Sequence, residues 1–189
     1  TEILSVERNP DFKTGRLSRS LKVRDQNGNE SLIESNRFTS MAEPHLSALE
    51  YTVKPLNYNG KITIKTGING AIINDGVERY KSLNQQHLKP VEEGTRGNRL
   101  FVVVSTTQSG VQVAEAADHA FSMHESVVEA QLTPSVSPSA VYGTASFNLV
   151  KEQSITLVKK VAIFTSKADD VNEPLQAAFQ LLDNATENV

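Results

Sequence analysis

The 189-residue sequence contains no cysteine and no tryptophan, and only 6% of its residues are aromatic. Without cysteine, disulfide bonds and zinc sites with thiolate ligands are excluded. A cysteine-free chain is compatible with the reducing cytoplasm, which is the expected location. Independent sugar-binding modules usually present aromatic platforms, so the small aromatic content argues against such a module.

Long apolar runs and basic runs are also missing. No stretch reaches the ~20 consecutive apolar residues of a membrane helix, and the N-terminus lacks the basic-then-apolar plan of a signal peptide. The formal net charge is −3, whereas nucleic-acid-binding proteins usually carry a basic excess or a basic stripe. The composition therefore predicts neither a nucleic-acid partner nor a membrane partner.

What the sequence does contain is alternation of apolar and polar residues with a period of two, the signature of β-strands. The alternation is clear where Leu17, Leu21 and Val23 share one side of a segment. The Asn-Gly pairs at 27–28 and 59–60 suit the positive φ angles of tight hairpins. We therefore predict an antiparallel meander over the first 65 or so residues.

Two segments of the first hundred residues are less regular. A helix competes with a strand over 41–49, although β-branched and aromatic residues favour a strand from Ala48 onwards. Residues 69–97 lose the alternation and carry four glycines. They are predicted to form a long excursion between strands, and such long loops are often functional.

The strand pattern returns in the second half. The continuous apolar run at 99–106 predicts a strand that is covered on both faces. Residues 131–142 are rich in proline and serine and are predicted to be a flexible loop. Residues 143–150 and 154–165 are predicted to be a final pair of strands.

One helix is predicted over 168–186, leading towards a linker. Pro174 lies near its start, and five apolar residues follow at three-and-four spacing. Asp169, Asp170 and Glu173 would complement the positive N-terminal end of the helix. Residues 1–189 are therefore predicted to form a single, mainly β domain: an antiparallel β-sandwich with a C-terminal α-helix.

Motifs of metal binding and of nucleophilic catalysis are missing. The four histidines form neither His-x-x-x-His nor Glu-x-x-His, and there is no Gly-x-Ser-x-Gly elbow or phosphate-binding loop. We predict no metal, no cofactor and no catalytic residue. Glycoside hydrolysis needs two carboxylates, and spacing alone selects no pair among Glu43, Glu50, Asp75, Glu78, Glu92 and Glu93.

The candidate binding or interdomain residues are Asp75, Arg79, Tyr80 and His87, which bring charges, an aromatic ring and an imidazole into one irregular segment. One interpretation is a loop that reaches a neighbouring domain or the rim of an active site. The alternative is a surface loop whose polar side chains cap its own backbone.

Several short motifs occur in a fixed order with compatible spacing along nearly the whole chain. They are TGRLSR at 14–19, RFTSMAEPHLSAL at 37–49, YTV at 51–53, YNG at 58–60, GING at 67–70, NDGVERY at 74–80, TTQSG at 106–110 and KKVAIFTS at 159–166.

Together these motifs resemble the N-terminal domain of glycoside hydrolase family 65, which contains maltose, trehalose, kojibiose and nigerose phosphorylases and some hydrolases. The resemblance implies a supersandwich-like fold. In the family this domain is followed by a helical linker, an (α/α)6 barrel and a small C-terminal β-domain. The general acid and the phosphate site lie in the barrel, so no catalytic residue is carried over to this chain.

The function implied by the resemblance is that of a non-catalytic domain. It would support the barrel of the same polypeptide, contribute to a homodimer interface and shape the substrate rim through 74–87. The opening strands of the sandwich would precede Thr1, and the linker would follow the terminal helix.

The parent enzyme would carry out inverting phosphorolysis or hydrolysis of an α-linked glucose disaccharide such as maltose, trehalose or kojibiose. Phosphate would be a co-substrate if it is a phosphorylase. Two alternatives remain open for the chain itself: an autonomous carbohydrate-binding module, and a structural β-sandwich that mediates oligomerisation.

Overall fold

The computed structural model describes residues 1–74, 76, 78, 85–123, 126–168 and 171–187. Within these residues the chain forms twelve strands and one helix. They are β1 (Glu2–Asp11), β2 (Arg16–Arg24), β3 (Glu30–Thr39), β4 (Leu46–Pro55), β5 (Gly60–Asn69), β6 (Leu88–Arg96), β7 (Arg99–Thr106), β8 (Gln112–Met123), β9 (Ser126–Val128), β10 (Thr133–Ser137), β11 (Ala140–Leu149), β12 (Ile155–Thr165) and α1 (Pro174–Glu187).

The described strands form two sheets. The larger has the hydrogen-bonded order β1-β2-β3-β4-β12-β8-β7-β6, with β9 paired to β8, and the smaller has the order β10-β11-β5. The hairpin-linked pairs are antiparallel. The predicted fold class, mainly β and antiparallel with a C-terminal helix, is confirmed.

The chain divides into two compact units. The first contains Thr1–Ile64, His119–Gln131 and Ala145–Lys160; the second contains Lys65–Asp118, Leu132–Thr144 and Val161–Val189. The division runs through β5, β8, β11 and β12. The assignment of 1–189 to a single domain stays a prediction.

The first unit is built on the predicted meander, β1 to β4. The turn between β2 and β3 follows the Asn-Gly pattern, with Gly28 at a φ of 81°. Joined to it are parts of β12 and β8, and the core includes Val53, Ile155 and Leu157. The phenyl rings of Phe121 and Phe147 lie 5.1 Å apart in this core.

The second Asn-Gly pair does not form a hairpin. Strands β4 and β5 belong to different sheets, and the φ angle of Gly60 is not positive. The side-chain oxygen of Asn59 instead accepts a hydrogen bond of 2.6 Å from the backbone N–H of Lys151. At this turn the Asn59 side chain is therefore used for a contact that is distant in sequence.

In the second unit, β7 is buried almost throughout, as the apolar run predicted. Helix α1 packs on this part of the sheet through Phe179, whose ring lies edge-on to Phe101 at 5.7 Å. The guanidinium of Arg96 lies 4.2 Å from the centre of the Phe179 ring. The guanidinium of Arg99, on β7, donates hydrogen bonds to the carboxylates of Asp183 on α1 at 2.5 Å and of Asp118 on β8 at 3.4 Å. These charged contacts also join the helix to the strands.

The helix is confirmed, but its predicted start at 168 is wrong. It begins at Pro174, and the carbonyl of Glu173 accepts the first helical hydrogen bond, from Ala177, at 3.0 Å. Proline favours the first helical position and disfavours helical geometry in the residue before it, so Glu173 lies outside the helix. Asp169 and Asp170 lie outside the described residues.

Two segments that were predicted to be irregular contain edge strands. Strand β6 occupies the end of the predicted 69–97 excursion, and β10 lies within the predicted 131–142 loop. Both are end strands of their sheets, where proline is tolerated because one row of N–H groups has no strand partner. Pro90 lies at a bulge in β6, and Pro134 lies in β10.

One further prediction of strand arrangement is also corrected. The strands predicted over 143–150 and 154–165 exist, but β11 and β12 belong to different sheets and do not pair. The strand favoured from Ala48 onwards is present as β4, which begins at Leu46, and the competing helix over 41–49 does not form.

Candidate functional site

Of the four residues proposed from the sequence, only His87 can be placed. Asp75, Arg79 and Tyr80 lie outside the described residues. His87 is exposed and immediately precedes β6, and its backbone carbonyl accepts a hydrogen bond of 2.9 Å from Thr107. Whether these four residues act together therefore stays a prediction.

Backbone hydrogen bonds hold the residues on either side of 75–84 in the second unit. The N–H of Asn74 donates to the carbonyl of Gln85 at 3.0 Å, and that of Gly70 donates to the carbonyl of Ser139 at 2.7 Å. Glu93 in turn accepts a hydrogen bond of 3.2 Å from the N–H of Ser139. The bond from Asn74 to Gln85 holds together the two ends of the intervening chain.

Gly70 lies where no side chain fits. A Cβ atom there would lie 2.7 Å from a methyl carbon of Val104 and 3.1 Å from the carbonyl oxygen of Ser139. Glycine therefore allows the chain to pass close to β7 and to the turn before β11.

Three carboxyl groups of the first unit accept hydrogen bonds that lower their pKa. Hydrogen bonds from Thr14 and from the turn backbone lower the pKa of Asp11. Backbone and side-chain hydrogen bonds from Asn29, with a backbone bond from Asn27, lower the pKa of Asp25. Hydrogen bonds from Lys22 and Arg24 lower the pKa of Glu30. A general acid requires the opposite shift, so none of these three groups suits that role.

A groove on the face of β2, β3 and β4 that carries Ser18, Asn36 and Glu50 is one candidate binding site in the first unit, and we call it the Phe38 groove. It has a volume of about 220 Å³. Its lining residues are Arg16, Asn36, Phe38, Ala48, Leu49, Glu50 and Val158.

The polar side of the Phe38 groove is ordered by hydrogen bonds across three strands. The side-chain oxygen of Asn36 accepts from the hydroxyl of Ser18 at 2.7 Å, and its amide nitrogen donates to Glu50 at 3.0 Å. Phe38 is 45% exposed and lies opposite Ala48, whose small side chain leaves the ring uncovered. The groove thus presents an apolar ring beside a carboxylate, an amide and a guanidinium. Sequence reasoning missed this site because strand register, rather than any motif, brings these residues together.

Two further observations concern the described residues of both units. Among the described residues, no group of three or more His, Asp or Glu side chains is arranged to hold a metal ion. The helical residues that the structure describes include no stretch long and apolar enough to cross a membrane.

The fold can now be compared with known proteins. Residues 1–188 match the family model of the glycosyl hydrolase family 65 N-terminal domain, so the chain belongs to that family. A solved structure of a protein from the human microbiome, described as a kojibiose phosphorylase, has a similar fold, with a TM-score of 0.77. The match covers 97% of this chain and 23% of the chain in that structure. Its identity of 14% makes this a likeness of fold alone.

Three curated relatives extend the comparison. A glycosyl hydrolase of Mycobacterium tuberculosis (strain ATCC 25618 / H37Rv) is 31% identical over 88% of this chain and 12% of its own length. The kojibiose phosphorylase of Halothermothrix orenii is 25% identical, and the alpha,alpha-trehalose phosphorylase of Thermoanaerobacter brockii is 28% identical. Each of the two matches covers 97% of this chain and 24% of the phosphorylase. The chain thus spans a quarter or less of these relatives.

The close approach at Gly70 leads to a prediction. We expect Gly70→Ala to lower the free energy of unfolding by about 1–3 kcal/mol, because the added methyl group overpacks against Val104. Denaturant unfolding would measure the loss, and faster hydrogen exchange at the amide of residue 70 would locate it. Gly76→Ala is the matched control, since a Cβ atom at Gly76 would meet nothing within 4 Å. Equal stability of the two variants would contradict the packing argument.

Proposed function

We propose that this chain is the non-catalytic N-terminal domain of a longer enzyme that cleaves an α-linked glucose disaccharide by phosphorolysis or hydrolysis. The main support for this proposal is the family match over residues 1–188. In addition, the chain aligns with only 24% of the length of each of two disaccharide phosphorylases. A catalytic (α/α)6 barrel in the same polypeptide would supply the general acid, with inversion at the anomeric carbon. It would also bind the disaccharide and any phosphate co-substrate.

The domain's own part in this proposal is mechanical. Helix α1 is fixed in the second unit by the Phe101–Phe179 contact and by the ion pairs of Arg99. A helix held both by buried aromatic packing and by charge can transmit a fixed orientation to the chain that follows it. Support of the barrel and a share in a homodimer interface are the roles we propose for this body. We propose the cytoplasm as its location, with which the cysteine-free composition is compatible.

The segment from 74 to 87 is proposed to reach the rim of the substrate site. Support comes from its base, where the backbone bond of 3.0 Å between Asn74 and Gln85 brings the two ends together. Segments whose two ends lie close together are frequently functional. Asp75, Arg79, Tyr80 and His87 would supply the contacts.

The isolated 189-residue chain should release no glucose or glucose 1-phosphate from maltose, trehalose or kojibiose, with or without phosphate. The reason is that the proposed catalytic groups lie in the barrel. Coupled assays would measure release, and circular dichroism would confirm that the chain is folded. Turnover that persists through repeated purification and disappears with Glu50→Gln would overturn the non-catalytic proposal.

The rim proposal is tested in the full-length enzyme by Arg79→Ala. We expect a higher KM for the disaccharide, because a charged contact that orients the substrate is lost, with the unfolding temperature unchanged. Lys13→Ala is the matched control, since it removes one positive charge from an exposed turn of the first unit that lines neither the Phe38 groove nor the cavity around Arg19. If affinity, turnover, stability and oligomeric state all stay at their original values in the Arg79 variant, the segment does not serve the rim.

A second candidate function is carbohydrate binding by the chain itself, and the Phe38 groove is the observation that favours it. An exposed ring can pack on the apolar face of a pyranose, while Glu50, Asn36 and Arg16 offer hydrogen-bond acceptors and donors to its hydroxyl groups. The low aromatic content argues against this function, so it stands second to the accessory role.

Sugar binding is tested by titrating the isotope-labelled chain with maltose and following amide chemical shifts. If the groove binds sugar, Phe38→Ala should weaken the affinity by about fivefold, because an aromatic contact contributes about 1 kcal/mol. Phe12→Ala is the matched control, since Phe12 is 92% exposed and lies outside the groove. Absence of saturable shifts, or equal loss in both variants, would exclude the groove as a sugar site.

A further inference from the structure

The opposite face of the same meander carries three arginines that none of the functions above uses. Arg8 on β1 lies directly across from Arg19 on β2, and Arg19 lies across from Ser35 on β3. Arg37 is two residues beyond Ser35, so the period of two places it on the same face. All three arginines are exposed.

These side chains line one cavity in the first unit, with a volume of about 250 Å³, and we call it the arginine groove. Its lining residues are Arg8, Leu17, Arg19, Ser35 and Arg37. Side chains directly opposite on antiparallel strands have Cβ atoms about 5 Å apart. The guanidinium groups of Arg8 and Arg19 can therefore reach the same small volume, with Arg37 and the Ser35 hydroxyl beside them.

The face that holds the arginine groove has no negative charge of its own. The strand pairing shows which residues of β1 to β4 lie on the same face as Arg8, Arg19 and Arg37. They are apolar residues, prolines, serines, a threonine and Tyr51, and none of them carries a carboxylate. Within the described residues, the three arginines form no salt bridge. Three positive charges thus share this face with no carboxylate beside them among the described residues of β1 to β4.

The other face of the same strands is arranged differently. There, Lys22 lies 2.7 Å and Arg24 2.6 Å from the carboxylate of Glu30, and Arg24 also lies 3.4 Å from Glu2. Like charges directly opposite each other on neighbouring strands destabilise a sheet. The meander neutralises its cations on one face, yet keeps the unfavourable Arg8–Arg19 pair on the other.

From this segregation we infer that the arginine groove binds a compact, multiply charged oxyanion of the phosphate or sulfate type. Guanidinium groups match oxyanions with paired N–H donors, and arginine is enriched where such groups are recognised. Three guanidiniums and a hydroxyl around one cavity suit a tetrahedral anion, which offers acceptors in several directions. A docking surface for a polypeptide would need a mainly apolar centre, whereas four of the five lining residues here are polar donors. The oxyanion would relieve the repulsion between Arg8 and Arg19.

The test is a titration of the isotope-labelled chain at constant ionic strength. The probes are inorganic phosphate and sulfate, with chloride as the monovalent reference and polyglutamate as an acidic polypeptide. We expect saturable shifts at the amides of residues 8, 19, 35 and 37 with phosphate and sulfate, and no saturation with chloride. A titration with glycerol phosphate, a phosphate monoester, distinguishes the two sources of such an anion. Tighter binding of inorganic phosphate indicates a free anion as the ligand, and tighter binding of glycerol phosphate indicates a phosphorylated small molecule.

Arg19→Gln and Arg37→Gln should each weaken phosphate binding by about fivefold, since one exposed ion pair contributes up to about 1 kcal/mol. Arg16→Gln is the matched control, because it removes the same charge from β2 on the other face. Arg19→Lys should lose part of the affinity, since the charge stays while the paired donors are lost. Dispersed amide spectra of each variant verify that it is folded.

Three results would overturn the inference. The first is the absence of saturable shifts with both phosphate and sulfate. The second is an equal loss of affinity in Arg16→Gln and Arg19→Gln, because the effect would then reflect net charge alone. The third is polyglutamate binding that depends on Arg19 and Arg37 while phosphate does not bind, which would make the groove a docking surface for an acidic polypeptide.

Discussion

The register of the β1–β4 meander is the constraint on which both surfaces of the first unit depend. Side chains alternate between the faces of a strand, so a slip of one residue would exchange the two faces completely. The apolar face of β4 prevents such a slip, because Val53 and Pro55 are buried. Beyond β4, the hydroxyl groups of Thr52 and Thr156 lie 2.8 Å apart although they are 104 residues apart in sequence. A local hairpin series is thus held in place by one distant strand.

Several contacts at the end of β4 serve the same purpose. The carbonyl of Pro55 accepts a hydrogen bond of 2.8 Å from Glu152, and the amino group of Lys54 lies 3.4 Å from the Glu152 carboxylate. Asn59 accepts from Lys151 nearby. Contacts between segments far apart in sequence form late and slowly in folding, since loop closure costs entropy before they are gained. The end of β4 is therefore also held by residues that a local sequence pattern does not reveal.

The Asn-Gly pairs illustrate what the sequence could and could not predict. Both are good turn formers, and the pair at 27–28 makes the hairpin that local chemistry favours, with Gly28 at positive φ. At 59–60 the same dipeptide leads from one sheet into the other. Strand existence followed from alternation, whereas strand partners were decided by tertiary contacts. Edge strands such as β6 were missed because proline tolerance depends on a position at the end of a sheet.

The candidate sites were the least predictable part, for the same reason. Arg8, Arg19 and Arg37 are spread over thirty residues of sequence, and only the pairing of β1 with β2 and of β2 with β3 collects them. The charged residues of β1 to β3 that lie between them in sequence fall on the other face: Asp11, Arg16, Lys22, Arg24, Glu30 and Glu34. Without the register, the segment shows only a mixture of positive and negative charges. Net charge calculated over the chain therefore hides the separation.

That separation also makes the functions of the two faces independent of each other. Neighbouring positions on β2, such as Ser18 and Arg19, point to opposite sides of the same backbone. Ser18 supports the Phe38 groove through Asn36, while Arg19 lines the arginine groove. A change that shifts the register would damage both grooves, whereas a change of one side chain affects only the face to which it belongs. The meander thus presents two chemically different surfaces on one backbone.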